Sequence, residues 1–169
     1  MALSVCLLLD ESADRAVRAL WRRLADDGLP SLATYTHGRH VPHLTLAALA
    51  DVDAEAALPA LAPVPDAPVA ATLQALATFT RSRGSLAPAP GRELLARHAQ
   101  AVGALDAAGC TVHRHYRPGT WLPHVTVTPR LPVEQLPALA RRAFEVLPLD
   151  VVLGPLVLVD TGTGDVLRR

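Results

Sequence analysis

The chain has 169 residues, half of them apolar, and its 16 basic and 16 acidic residues give a formal net charge of zero. This length fits one domain of ordinary size, with enough apolar residues for a buried core. Zero net charge argues against binding extended nucleic acid, which normally needs a basic surface. Every basic residue is arginine. The absence of lysine excludes a Gly-Lys-Ser/Thr phosphate-binding loop, Schiff-base chemistry and nucleotidyl transfer through lysine.

Cysteine use and hydropathy predict a cytoplasmic protein. Cys6 and Cys110 are far apart in the sequence and form no Cys-x-x-Cys pair, which favours reduced, buried thiols. Residues 2–9 form a short apolar run without a basic start or a cleavage site, which is typical of a first strand rather than a signal peptide. No apolar stretch approaches the roughly 20 residues that span a membrane, so we expect no membrane association.

Strand-like and helix-like segments alternate along the chain. The apolar patterns predict strands at residues 2–9, 44–49, 69–80, 85–89, 110–115, 121–128 and 151–160, with a short terminal hairpin around 162–164. They predict helices at residues 12–27, 53–61, 91–108 and 133–146, with Ser12 as the N-cap of the first. A proline-rich connector covers 59–68, and a turn is expected at 81–84. The order predicts an α+β fold with a largely antiparallel sheet.

One five-residue pattern occurs twice, about half the chain length apart. Residues 42–46 read Pro-His-Leu-Thr-Leu, and residues 123–127 read Pro-His-Val-Thr-Val. Side chains alternate across a strand, so the histidine and the threonine of each copy point to the same face, and the aliphatic residues point to the other. A repeat at half-length suggests two related lobes.

Two imidazoles and two hydroxyls on facing strands are suited to the displacement of a phosphodiester. One neutral imidazole can take a proton from the attacking oxygen, and the other, protonated, can donate one to the leaving oxygen. Histidine fits both tasks because its unperturbed pKa lies near operating pH. The threonine hydroxyls can donate hydrogen bonds to the non-bridging phosphoryl oxygens. We predict that His43 and His124 share one site.

These motifs resemble the two-histidine (2H) phosphoesterase superfamily, in its 2′-5′ RNA ligase-like and cyclic phosphodiesterase branches. The resemblance implies a single α+β domain over residues 1–169, bilobal and internally duplicated, with two mostly antiparallel sheets lining a central cleft and helices outside. It implies that His43 and His124 are the acid–base pair and that Thr45 and Thr126 bind phosphate. The implied activity is cleavage of 2′,3′-cyclic phosphates or 2′-5′ nucleotide linkages, without metal or cofactor.

Substrate contacts outside the motifs are less sharply defined. Where bacterial relatives often continue the first motif with Phe-Leu-Gly, this chain has Ala47-Ala48-Leu49. The candidates for stacking on a base are Tyr116, Trp121 and Tyr35. The candidates for neutralising phosphate are Arg39, Arg117 and Arg130, and Arg130 stands where relatives often carry a basic residue. We expect a small nucleotide or RNA-end substrate, no extended duplex and a monomeric protein.

Two other functional interpretations stay open. The same cleft could retain a nucleotide or an RNA end without turnover, as a binding module. Alternatively, the repeat could be a relic of duplication in an accessory domain, in which case neither histidine would lie in a cleft.

The remaining histidines have simpler interpretations. His37, His40 and His43 recur at every third residue, but Gly38 and Pro42 interrupt any helix that could gather them around one metal ion. His113 and His115 are expected on one exposed face of a strand, or at the cleft rim. His98 is expected on the solvated face of its helix.

Overall fold

A computed structural model describes residues 3–50, 54–80 and 83–168. Within these ranges the chain forms seven strands, four α-helices and two short 3-10 turns. The strands are β1 Leu3–Leu9, β2 His43–Ala48, β3 Val69–Phe79, β4 Arg83–Pro88, β5 Val125–Thr128, β6 Leu149–Asp160 and β7 Val166–Arg168. The helices are α1 Glu11–Asp26, α2 Ala54–Ala60, α3 Arg92–Ala107 and α4 Leu136–Phe144, and the 3-10 turns cover Arg114–Tyr116 and Val133–Gln135.

All seven strands belong to one antiparallel sheet in the order β1-β2-β5-β4-β3-β6-β7. Strand β6 also pairs with β1, so six strands form a closed circuit of pairings. The α+β class and the antiparallel sheet are therefore confirmed. The predicted pair of sheets is wrong, because β2 pairs with β5 and β6 pairs with both β1 and β3. The division into two pseudo-symmetric lobes stays a prediction.

Helix α1 begins one residue earlier than the pattern predicts. The carboxylate of Asp10, not the hydroxyl of Ser12, caps it by accepting hydrogen bonds from the backbone N–H groups of Ser12 and Ala13. An aspartate at this position is among the preferred N-caps. The helix ends before Gly28, whose φ of 73° is readily adopted only by glycine.

Helix α3 packs a stripe of residues inward, among them Leu94, His98, Ala101 and Leu105. The expectation that His98 is solvated is therefore wrong: the residue is only 3% exposed. Its Nε2 lies 2.9 Å from the carbonyl oxygen of Tyr116, and the bond satisfies the buried ring.

Two predicted strands are shorter than the sequence pattern suggests. Residues 110–115 form no strand; instead Val112 makes an isolated bridge with Leu49 and a 3-10 turn follows. Strand β5 begins at Val125 rather than at residue 121. The turn predicted at 81–84 lies partly outside the described residues, and β4 already begins at Arg83.

The two faces of the motif strands differ in their surroundings. Leu44, Leu46, Val125 and Val127 are fully buried in the main core. Helices α1 and α3 contact these strands. The aliphatic positions of the repeat are thus covered by helices, as their alternation predicts. In the described part of the chain, no helix is both long enough and apolar enough to cross a membrane.

Candidate active site

The two motifs meet at one cross-strand pair. Leu44 of β2 is the Cα partner of Val125 of β5 in an antiparallel ladder. This register sets His43 opposite Thr126 and Thr45 opposite His124, and all four side chains share the face that points away from the core. We call this side of the sheet the histidine face. The two histidines are diagonal neighbours on the histidine face. In a regular antiparallel sheet the Cα atoms of such neighbours are about 7–8 Å apart.

Each imidazole is anchored by the same local hydrogen bond. Nδ1 of His43 lies 2.7 Å from the carbonyl oxygen of Val41, and Nδ1 of His124 lies 2.8 Å from that of Leu122. Because a carbonyl oxygen only accepts, Nδ1 must carry the proton in both rings. In the neutral form Nε2 is then left as a proton acceptor. In each motif a proline stands between the histidine and the residue whose carbonyl it contacts. Proline favours an extended conformation at the preceding residue, which helps to set this geometry.

The environment disfavours the protonated form of both imidazoles in the free protein. Burial lowers the pKa of His43 below its ordinary value of 6.5, and the bond to Val41 opposes this shift. Burial also lowers the pKa of His124, and the charges of His43 and Arg83 lower it further. The effect of the His43 charge on the pKa of His124 reflects the closeness of the two rings. An anion bound between them would favour the protonated form of one ring.

The two motif threonines have different surroundings on the histidine face. Thr45 is 8% exposed, and its Oγ1 lies 3.7 Å from Sγ of Cys6, its cross-strand partner on β1. Thr126 is partly exposed and pairs with Ser85 of β4. Burial raises the pKa of the Cys6 thiol to about 12, so Cys6 stays protonated and unreactive. Both cysteines are free and buried, as predicted.

Three residues that the sequence patterns did not single out lie beside the second motif. The Phe79 ring lies 4.6 Å from the His124 ring between centroids. Arg83 pairs with Phe79 across the β3–β4 hairpin and influences the pKa of both His124 and Tyr116. Phe79 and Arg83 also line a cavity of about 170 Å³. Ser85, two residues after Arg83, is the third. Only the strand register brings these residues to the site, so no local pattern marks them.

Comparison with known proteins identifies the family of the chain. The 2′-5′ RNA ligase superfamily matches residues 9–165. The chain belongs to this superfamily of 2H phosphoesterases. No curated protein matches the chain in sequence.

Solved structures share the fold of this superfamily member. A structure described as a phosphoesterase has a TM-score of 0.61 at 20% identity and covers 98% of this chain and 92% of its own. The structure of E. coli LigT complexed with 3′-AMP has a TM-score of 0.60 at 18% identity. The match covers 92% of this chain and 85% of the LigT chain. The structure of E. coli LigT complexed with NADP+ has a TM-score of 0.59 at 20% identity. The match covers 99% of this chain and 97% of the LigT chain.

Two of the arginines predicted to bind substrate are engaged elsewhere in this superfamily member. Arg39 donates to the carbonyl oxygen of Thr163 and pairs with Asp165 at 3.4 Å, which ties its loop to the β6–β7 hairpin. Arg117 binds both carboxylate oxygens of Asp106. Arg130, after β5, is exposed. The roles of Arg39, Arg117 and Arg130 in substrate binding stay predictions.

Two of the three aromatic candidates, Tyr116 and Trp121, differ in what they contact. Tyr116 is partly buried; burial and Cys6 raise the pKa of its hydroxyl, and the charge of Arg83 lowers it. Trp121 stacks on His98 at 3.9 Å with an interplanar angle of 3°. Its indole Nε1–H donates to the carbonyl oxygen of Thr45 at 2.9 Å. Trp121 therefore links the segment before the second motif to the strand of the first.

The remaining histidines do not form a metal site. His37 and His40 lie in the loop before β2, with ring centroids 4.2 Å apart. His113 and His115 are exposed, 5.1 Å apart. Over residues 3–50, 54–80 and 83–168, no group of three or more histidines, cysteines or acidic residues is arranged to hold a metal ion.

We expect the stability of the free protein to fall in acid because of these imidazoles. Burial lowers the pKa of His40, His43, His98 and His124 in the folded chain. As pH falls through about 6.5, the unfolded chain therefore binds more protons, and the free energy of unfolding decreases. Urea unfolding above and below pH 6.5 measures this loss.

Two asparagine variants locate its source. The variant His98→Asn removes one buried titrating ring and should flatten the pH dependence of the free energy of unfolding. The variant His115→Asn, at an exposed position, should leave this pH dependence unaltered. Equal slopes in the wild type and the His98→Asn variant would contradict the assignment.

Proposed function

We propose that this protein is a phosphodiesterase that opens 2′,3′-cyclic phosphates or cleaves 2′-5′ nucleotide linkages by two-histidine acid–base catalysis. The observation that carries the proposal is the register of Leu44 with Val125, since it directs both histidines and both threonines to one face. Membership of a superfamily of phosphoesterases supports the reaction class. The 3′-AMP and NADP+ bound by E. coli LigT support a nucleotide ligand.

The proposed reaction is a displacement at phosphorus. With a cyclic substrate, Nε2 of one histidine takes a proton from the attacking water, and the new P–O bond forms. Nε2 of the other histidine, protonated, gives its proton to the leaving ribose oxygen as the old P–O bond breaks. The net change is the addition of one water molecule, and the two rings exchange protonation states. No step needs a metal ion or a cofactor.

Groups around the histidines have distinct tasks in this scheme. Thr45 and Thr126 donate hydrogen bonds to the non-bridging oxygens, where negative charge redistributes in the transition state. Arg83 attracts the phosphate and, after burial and His43, helps to lower the pKa of His124 in the free protein. Phe79 offers an apolar surface beside His124.

A turnover assay with 2′,3′-cyclic mononucleotides tests the proposal. Wild-type protein should convert them to a single monophosphate isomer, since each histidine has one fixed role. The double variant His43→Asn/His124→Asn serves as the blank. Asparagine keeps a side-chain N–H for the carbonyl of Val41 or Leu122 and removes the titrating Nε2 together with the rest of the ring. Dinucleotides with 2′-5′ linkages and ADP-ribose cyclic phosphate extend the substrate set.

The non-catalytic alternative gives a different result in the same assay. A binding module would retain a nucleotide 3′-monophosphate, measured by calorimetry, but would convert none of these substrates. Turnover that persists in the double variant would instead show that the histidines are not the catalytic groups.

A further inference from the structure

Each motif threonine has a small polar residue as its cross-strand partner on the outer side. Thr45 of β2 pairs with Cys6 of β1, and Thr126 of β5 pairs with Ser85 of β4. Both partners are 0% exposed. Cross-strand partners share a face of the sheet, so both side chains stand beside their threonines on the histidine face. The arrangement thus repeats around the two motifs.

The first pair shows that this position brings a side chain within reach of the threonine hydroxyl. Sγ of Cys6 lies 3.7 Å from Oγ1 of Thr45. A thiol is a weak donor and a weak acceptor. It therefore competes poorly with a phosphoryl oxygen for the hydroxyl hydrogen of Thr45.

The second pair contains a hydroxyl without a partner. Oγ of Ser85 is buried and makes no hydrogen bond within the described part of the chain. Buried hydroxyls are normally bonded, so an exception calls for a physical explanation. The cross-strand partner of Ser85 on β5 is Thr126, whose side chain also ends in a hydroxyl.

We propose that Ser85 is a positioning residue for Thr126. When substrate binds, the Ser85 hydroxyl donates its hydrogen to Oγ1 of Thr126, and the Thr126 hydrogen is thereby directed to a phosphoryl oxygen. A hydroxyl group carries one hydrogen and can accept at its lone pairs while it donates. A chain of two hydroxyls ending on an anion strengthens each bond in it. The inference rests on the proposed function of the same site.

The variant Ser85→Ala separates this role from a structural one. In the free protein the serine hydroxyl is buried without a partner, so alanine should leave the unfolding midpoint unchanged or raise it. Turnover of a 2′,3′-cyclic mononucleotide should nevertheless fall, by roughly 3- to 10-fold in kcat, the range expected for one neutral hydrogen bond. The variant Ser85→Cys places a cysteine beside Thr126, as Cys6 stands beside Thr45. Its kcat should lie between those of the wild type and Ser85→Ala. Ser4→Ala removes another buried hydroxyl, from β1, and should leave kcat at the wild-type value.

A double-mutant cycle tests whether Ser85 acts through Thr126. In a Thr126→Ala background, Ser85→Ala should cost nothing more, because the group that it positions is absent. A wild-type kcat in Ser85→Ala, or the same loss in both backgrounds, would overturn the inference and leave the proposed function intact.

If the wild type shows no turnover, the binding of inorganic phosphate, measured by calorimetry, still tests the positioning role of Ser85. Lack of turnover would defeat the proposed function, but weaker phosphate binding by Ser85→Ala would still support the positioning role. Equal affinities, or no binding by the wild type, would overturn it.

Discussion

Replacing either His43 or His124 with asparagine is expected to lower kcat on a 2′,3′-cyclic mononucleotide by roughly 10²–10⁴-fold. In the proposed mechanism each histidine supplies one of the two proton transfers. The loss in the double variant should be far smaller than the product of the single losses, since residues that act as a unit are not additive. Steady-state kinetics of the three variants measure both effects.

The pH profiles of these variants carry further information. The wild type should show a bell-shaped dependence, with one limb for the base and one for the acid. Each single variant should lose a different limb, and this assigns the base and the acid. His115→Asn, an exposed histidine outside the histidine face, is the matched control and should behave as wild type. Single variants that retain the activity and the full bell would remove both histidines from the mechanism.

Replacing Trp121 is expected to have the largest effect on stability among the residues around the site. Trp121→Ala removes a partly buried ring that stacks on His98, and should lower the free energy of unfolding by about 2–4 kcal/mol. Trp121→Phe keeps an aromatic ring but loses the hydrogen bond to the Thr45 carbonyl, for a loss of about 1–3 kcal/mol. Urea unfolding of both variants checks these values.

The phenylalanine variant should also lower turnover more than a general loss of stability explains. Only one residue pair, Leu44 with Val125, joins the two motif strands. The indole bond to Thr45 is a second link between the same two segments. Leu95→Ala, which trims an exposed apolar side chain on α3, is the control for a surface change. A Trp121→Phe protein with wild-type kcat would show that Leu44 and Val125 alone hold the motifs in place.

The core of the site could be predicted from the sequence because its determinants are local. Alternation along a strand directs His43 and Thr45 to one face and Leu44 to the other, whatever the rest of the chain does. The same rule holds for the second motif. The repeat then suggests that the histidine-bearing faces of the two motif strands form one site.

The surroundings of the site could not be predicted in the same way. Phe79 and Ser85 reach the histidine face only through the registers of β3 with β4 and of β4 with β5. The pairing of β4 with β5 joins strands distant in the chain and leaves no periodic signal in either strand. The closure of the sheet through β1 and β6 is a long-range pairing of the same kind.

Other errors came from signals that were present in the sequence. His98 lies at helical spacing from Leu94, Ala101 and Leu105, which predicts an inward position, but its polarity suggested solvent. Stacking on Trp121 and the hydrogen bond of Nε2 with the Tyr116 carbonyl allow the burial.

The most direct test of the account is a crystal structure with a nucleoside vanadate, which imitates the five-coordinate phosphorus of the displacement. Nε2 of His43 and Nε2 of His124 should each lie about 2.6–3.2 Å from oxygens on opposite sides of the same vanadium atom. The hydroxyls of Thr45 and Thr126 should contact its equatorial oxygens. Vanadate bound away from β2 and β5, or held by only one of the two rings, would contradict the shared site.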